Sequence, residues 1–183
     1  MDKKELRKFI RTKNLNLSDD YKKNASESIC NIFLASTDYH TSENIFIYVS
    51  LPNEPDTSAI IRKALEDKKN VFVPKCISKG HMIAVRVTDD TEYSSGYMNI
   101  CEPRVYQEEN DTKIDIAIVP CISADTDGKR LGHGGGFYDI FLKKHSSKNI
   151  CLCFNEILCT DIPMNENDIY MDAVITERGF FNN

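Results

Sequence analysis

Short apolar runs rich in β-branched residues alternate with stretches of helical period, and this alternation restricts the fold more than any other feature of the 183-residue chain. Residues 45–49, 71–73 and 150–154 are apolar at consecutive positions, 114–119 are apolar but for Asp115 and 173–176 but for Thr176, as strands covered on both faces are, and all five are too short to be helices. Pro52 and Pro55 end the first run and Pro74 closes the second. Between those two, Asp56 or Thr57 can cap a helix whose inner face carries Ile60, Ile61, Ala64 and Leu65, and residues 138–144 form another short helix. Residues 82–87 and the segment around Ile100 add shorter strands, while 88–96 and 105–113 read as polar connections. Two helices precede every strand: one capped by Asp2 with Leu6, Phe9 and Ile10 on its apolar edge, the next starting near Ser18 and burying Ala25, Ile29, Ile32 and Phe33. The expected fold is α/β, a mostly parallel sheet with helices on both faces in a three-layer sandwich, led by an N-terminal helical pair and forming one domain over residues 1–183.

Charge and composition narrow the function. A formal charge of -5 argues against a surface built to grip nucleic acid, and the longest apolar runs fall far below the roughly 20 residues that cross a bilayer, so neither nucleic acid nor membrane is expected as a partner. The N-terminus, Met1 to Arg7, has no apolar signal core, and two acids weigh against a transit peptide. Seven cysteines, an odd number set mostly among apolar residues, read as reduced thiols of a cytoplasmic protein. Cys151 and Cys153 lie in a strand-like run with no histidine near them, which suits core packing better than zinc.

The stretch from Val119 to Asp139 holds Gly128, Gly132, Gly134, Gly135 and Gly136, five of the chain's eight glycines, between a strand and a helix. Such a loop can turn successive backbone N–H groups inward as an anion cradle, with Arg130 alongside as a full charge. It is neither a P-loop, since no G-x-x-x-x-G-K-[ST] occurs, nor a dinucleotide fingerprint, since Phe137 stands where G-x-G-x-x-G counted from Gly132 needs glycine. The alternative is a surface turn whose glycines merely accept positive φ.

The run Arg130-Leu131-Gly132-His133-Gly134-Gly135-Gly136-Phe137-Tyr138-Asp139 resembles the R-L-G-x-G-x-G-[FY]-Y-D signature of the 5-formyltetrahydrofolate cyclo-ligases, also called methenyltetrahydrofolate synthetases. Further pieces fall in that family's order: Lys3-Lys4-Glu5-Leu6-Arg7, Tyr48 through Glu54-Pro55-Asp56-Thr57, Glu102-Pro103, Ile118-Val119-Pro120, and Pro163 through Asp168. The resemblance implies ATP-dependent conversion of 5-formyltetrahydrofolate to 5,10-methenyltetrahydrofolate by a monomer, with release of ADP and phosphate. By the same resemblance, Arg130 and Tyr138 are catalytic; Lys3, Lys4, Glu5, Leu6, Arg7 and Arg130, Leu131, Gly132, His133, Gly134, Gly135, Gly136, Phe137 and Tyr138 bind ATP. Val49, Glu54, His133, Gly134, Gly135, Gly136 and Phe137 meet the folate, and Asp139 and Asp168 hold Mg2+. Helical spacing sets Lys3, Lys4 and Arg7 on neighbouring positions of one face.

Each assignment has a plainer counterpart in the residues themselves. Lys3, Lys4 and Arg7 also suit a solvated basic face, Asp139 an acid in a helix's first turn, Asp168 a turn residue, Glu54 a loop acid beside two prolines and Val49 an ordinary strand valine. His133 and Gly135 stand where relatives often carry larger or cationic residues, Phe137 replaces a common tyrosine, Ile157 a common glutamine, and Glu102 carries no assigned role. A sugar-phosphate isomerase or CoA-transferase-like enzyme would share the sheet and anion loop but need no ATP, and a non-catalytic folate or nucleotide binder would need no metal and phosphate ligands together.

Overall fold

The structure, a computed structural model, describes residues 1–96, 100–106 and 113–183. The chain opens with helices α1 (Lys3–Leu15), α2 (Asp19–Leu34) and α3 (Thr37–Thr41), followed by strand β1 (Asn44–Ile47), helix α4 (Ser58–Glu66) and strands β2 (Asn70–Ser78), β3 (His81–Val87), β4 (Tyr93–Ser95) and β5 (Cys101–Pro103). Then come β6 (Ile116–Val119), β7 (Ser123–Ala124), β8 (Arg130–Leu131), α5 (Phe137–Leu142), β9 (Lys148–Leu152), β10 (Ala173–Thr176) and β11 (Gly179–Asn182).

Seven strands form the central sheet in the order β11-β10-β9-β6-β1-β2-β3. The inner pairs are parallel, and β3 and β11 are antiparallel edges. From β1 the chain crosses through α4 to β2 on one side, and from β6 it crosses through α5 to β9 on the other. Right-handed crossovers running in opposite directions put their helices on opposite faces of the sheet. Phe141 of α5 accordingly stacks on Phe46 of β1, centroids 4.3 Å apart, while α2 packs on α4, β10 and β11. The reversal falls between β1 and β6, and a crevice must open there at the C-terminal ends of the strands.

Several expectations are corrected or narrowed by the structure. Pro74 does not close β2, which runs on to Ser78. β1 pairs only as far as Phe72, so beyond that point β2 has β3 as its one neighbour, and a strand paired on one side tolerates proline. Phe9 is 58% exposed, because α1 buries the stripe Leu6, Ile10 and Asn14, the last held by donating Nδ2–H to the Asn53 carbonyl at 2.8 Å. Thr57 does not cap α4: its hydroxyl donates to the Tyr48 carbonyl (2.7 Å), and Asp56 accepts from Ser58 N–H (2.9 Å) instead. The connection expected over 88–96 contains β4, paired with β5, and residues 107–112 of the second connection lie outside the described residues.

Candidate active site

A cavity of about 490 Å³ opens where the crossovers diverge. Its walls come from the segment after β1 (Tyr48, Val49, Leu51, Glu54), the loop between β8 and α5, the N-terminal helix through Lys3 and Arg7, and the 165–168 turn. One end is lined by cations and glycine backbone, the other by Pro74, Cys76, Met82 and Ile100. Such a space suits a ligand with an anionic tail and a flat apolar body.

The glycine loop is built on a short hairpin that the sequence did not announce. β7 pairs with β8, and Asp125 holds the turn by accepting from Asp127 N–H (3.0 Å) and Lys129 N–H (2.8 Å). Alternation along β8 sends Leu131 fully into the core and Arg130 toward the cavity. From α1, Arg7 donates Nε–H to the Gly132 carbonyl at 2.8 Å and so fastens the first helix to the loop. Its guanidinium lies so near Gly134 that an added Cβ would stand 3.4 Å from Cζ, at a φ of +101° that side chains rarely adopt. At Gly135 an added Cβ would fall 2.8 Å from the Phe137 ring. Small size here lets an arginine and an aromatic ring close on bare backbone.

Arg130 is 5% exposed and committed: Nη2 donates to Asp139 Oδ1 at 2.9 Å, Nη1 to the Pro120 carbonyl at 3.3 Å, and Nε has no partner among the described residues. Asp139 Oδ1 also accepts from Ile169 N–H (3.2 Å), and Asp168 Oδ2 accepts from Lys3 and from Asn165 N–H (2.6 Å). In each aspartate the other oxygen has no hydrogen-bond partner among the described residues. Glu54 is fixed by its own loop, Oε2 accepting from Leu51 N–H (2.9 Å), while Oε1 accepts from His133 Nε2–H at 3.1 Å. Glu102, 4% exposed, accepts from Cys76 N–H (3.1 Å) and lies 3.6 Å from Lys75, whose ammonium donates to the Pro103 carbonyl.

Burial, with Glu54 adding to it and Arg130 opposing, pushes the Tyr138 hydroxyl above the ordinary phenol value, so it enters the cavity as a neutral donor. Its ring lies 5.7 Å from the Arg130 guanidinium carbon. Cys76 is raised to about 11, first by burial and then by the Glu102 carboxylate, so the one thiol on this wall is not a nucleophile at neutral pH.

The model of the 5-formyltetrahydrofolate cyclo-ligase family matches residues 1–177. The chain belongs to that family. It is 33% identical to a probable 5-formyltetrahydrofolate cyclo-ligase of Caenorhabditis elegans, over 96% of this chain and 92% of the relative. It is 32% identical to the 5-formyltetrahydrofolate cyclo-ligase of Mus musculus, over 79% of this chain and 78% of that protein. The solved 5,10-methenyltetrahydrofolate synthetase of Aquifex aeolicus superposes with a TM-score of 0.89 at 26% identity, covering all of this chain and 93% of its own.

Of the cyclo-ligase positions read from the sequence, the fold brings Lys3, Arg7, Val49, Glu54, Arg130, Gly132 through Asp139, and Asp168 to one cavity. It leaves four side chains out. Lys4 is exposed off the cavity, since only the i, i+4 pair Lys3 and Arg7 faces it; Leu6 and Leu131 are core; and Glu5 closes the capping box of α1 by accepting from Asp2 N–H (3.1 Å). Lys143, one turn beyond Asp139, Asn165 and Asn167 line the cationic end unforeseen, and Cys76 and Met82 the apolar end. The i, i+4 spacing of Asp139 and Lys143 was the available signal for one of them; the apolar wall had none, because it is ordinary strand sequence.

Proposed function

We propose that this cavity holds 5-formyltetrahydrofolate and Mg-ATP side by side and joins them in one ATP-dependent ring closure. The carrying observation is that the glycine loop, with Arg7 and Arg130 around it, and the buried Glu54 carboxylate line the same cavity. The N5-formyl oxygen attacks the γ-phosphorus, ADP leaves, and the nitrogen lone pair becomes a C=N bond. N10 then adds to the formyl carbon and loses its proton, and the C–O bond breaks. The oxygen and proton depart as hydrogen phosphate, leaving a cationic N5–CH–N10 bridge. Charge and atoms balance.

Positioning and electrostatics carry such a phosphoryl transfer. Lys3, Arg7 and the loop N–H groups meet the phosphates. Arg130, held by Asp139 and the Pro120 carbonyl, faces the charge that develops on the transferring group. Tyr138 offers a neutral O–H, with no partner among the described residues, to an oxygen of the reacting centre. Glu54 accepts from the N–H edge of the pterin, Val49 and Phe137 bracket its apolar body, and the Pro74, Cys76, Met82 wall continues that surface. Asp139 and Asp168 each present one carboxylate oxygen without a hydrogen-bond partner among the described residues, the hard donor that suits magnesium arriving with a nucleotide, and magnesium would offset charge on the phosphates there. All these residues come from one chain, which suits a monomer, and seven free thiols suit a reducing compartment such as the cytoplasm. Among the described residues no helix is long and apolar enough to cross a membrane.

The test follows methenyltetrahydrofolate absorbance and ADP together. We expect both to appear in equal amounts from 5-formyltetrahydrofolate and Mg-ATP. No product above the enzyme-free control would end the proposal.

A further inference from the structure

We infer that His133 couples the two halves of the cavity, so that nucleotide and reduced folate each bind more tightly in the presence of the other. The inference rests on the functional reading above and adds to it a positioning residue that acts through Glu54.

The observation is one hydrogen bond between two segments that serve different ligands. Glu54 belongs to the connection that follows β1, and His133 to the glycine loop that follows β8; their side chains meet at 3.1 Å. An ionised carboxylate only accepts, so the imidazole is the donor, through Nε2–H. The two partners differ in how firmly each is held. Glu54 is 7% exposed at its side chain, its Oε2 bound to Leu51 N–H, its own N–H bound to the Leu51 carbonyl (2.9 Å), and the preceding residue, Asn53, is tied to α1 and α2 through Asn14 (2.8 Å) and Lys22 (3.0 Å). His133 is 39% exposed at its side chain, and this is its one hydrogen bond among the described residues. It sits between Gly132 and Gly134, in backbone fastened by Arg7.

A firm carboxylate on the folate wall therefore fixes a loosely held side chain on the phosphate loop. Phosphate bound to the loop restricts His133 and, through it, Glu54; a pterin bound to Glu54 restricts Oε1 and, through it, the loop. Each ligand orders part of what the other must order, which gives positive coupling without a change of fold. Direct competition for Oε1 does not follow, because a carboxylate oxygen has two lone pairs and can accept from His133 and from a pterin N–H at once. Truncating His133 removes the link together with its own share of the cavity wall, so the readout is the ratio of each affinity with and without the other ligand.

The experiment titrates the full-length protein with 5-formyltetrahydrofolate, without and with a saturating non-hydrolysable Mg-ATP analogue, and then in the reverse order, by calorimetry. In the wild type the two affinities should each rise about tenfold, by the same factor in both directions as linkage requires. In His133→Ala the factor should fall to about one; because it is a ratio, any loss of binary affinity cancels. His133→Gln, whose amide can donate to the same oxygen, should keep most of the coupling. A full tenfold factor in His133→Ala, or absent or negative coupling in the wild type, overturns the inference while leaving the functional reading intact. A wild type that binds neither ligand overturns both.

Discussion

The two ends of the parallel sheet use the same chemical groups for different ends. At the N-terminal ends of the strands, Asp115 Oδ2 accepts from Glu43 N–H (3.0 Å) and Asn44 N–H (2.9 Å), joining the starts of β1 and β6. Asp172 accepts from Asn149 N–H (2.7 Å) and joins β9 to β10. Each carboxylate there spans neighbouring strands and stitches the edge of the sheet shut. At the C-terminal ends, Asp139 and Asp168 reach cations of other elements, Arg130 of β8 and Lys3 of α1, at the cavity wall, and each keeps one oxygen without a hydrogen-bond partner among the described residues. Past the last β1–β6 pair, Ile47 with Ile118, no further pairing of these two strands closes the gap among the described residues, so charge placed there remains available to a ligand. One end holds the fold, and the other lines the cavity to which the proposed chemistry is assigned.

That division is open to attack by substitution. Asp139→Asn keeps an acceptor for Ile169 N–H but removes the charge facing Arg130, and kcat should fall by about a hundredfold or more in the turnover assay, at a stability cost of about 1–3 kcal/mol by denaturant unfolding. Unchanged turnover would remove Asp139 from the reacting end. Arg7→Ala removes a charged phosphate donor and the fastening of Gly132, so the KM for ATP should rise about tenfold, while Lys4→Ala should leave it unmoved. Equal effects of the two would show that α1 acts only through net charge.

At the opposite end, Asp115→Ala should cost about 1–3 kcal/mol of stability and leave kcat unchanged below the melting temperature. Burial alone would raise the Asp115 carboxyl, but the N–H groups of Asn44 and Glu43 and the nearby Lys113 ammonium outweigh it and hold it below the usual value. Its contribution is therefore present above the ordinary carboxylate range, which lies near 3.9, and is lost as pH falls through the lowered folded value. Urea midpoints across the acid range should converge for wild type and Asp115→Ala. The smallest effect is expected of Phe9→Ser, within about 0.5 kcal/mol, since the ring is mostly in solvent.

Much of this was readable because it was local. Consecutive apolar residues at 45–49 and 150–154 announce buried strands, and Ser18 announces α2, where its hydroxyl accepts from Tyr21 N–H (3.1 Å). The site loop was legible through glycine clustering beside Arg130, but its role came through resemblance. What stayed hidden depends on tertiary contact. β7 and β8 are two-residue strands with no periodicity of their own, and β11 is mostly half-buried and follows a tight turn at Glu177 and Arg178. Pro74 was misread because whether a strand tolerates proline depends on how far its neighbour extends, which sequence does not state. Lys3, Lys4 and Arg7 looked equivalent until the buried face Leu6, Ile10, Asn14 fixed the rotation of α1 and turned Lys4 away. The link between Glu54 and His133, 79 residues apart, had no sequence signal at all.

The central claim is that both ligands occupy the crevice between β1 and β6. Amide hydrogen exchange of the intact protein, recorded with 5-formyltetrahydrofolate, with a non-hydrolysable Mg-ATP analogue and with both, tests it most directly. The account predicts that the nucleotide protects 130–139 and the start of α1, that the folate protects 48–54, and that the two footprints meet at 132–137. Protection on two separated surfaces, or confined to the N-terminal ends of the strands around Asp115 and Asp172, would contradict it.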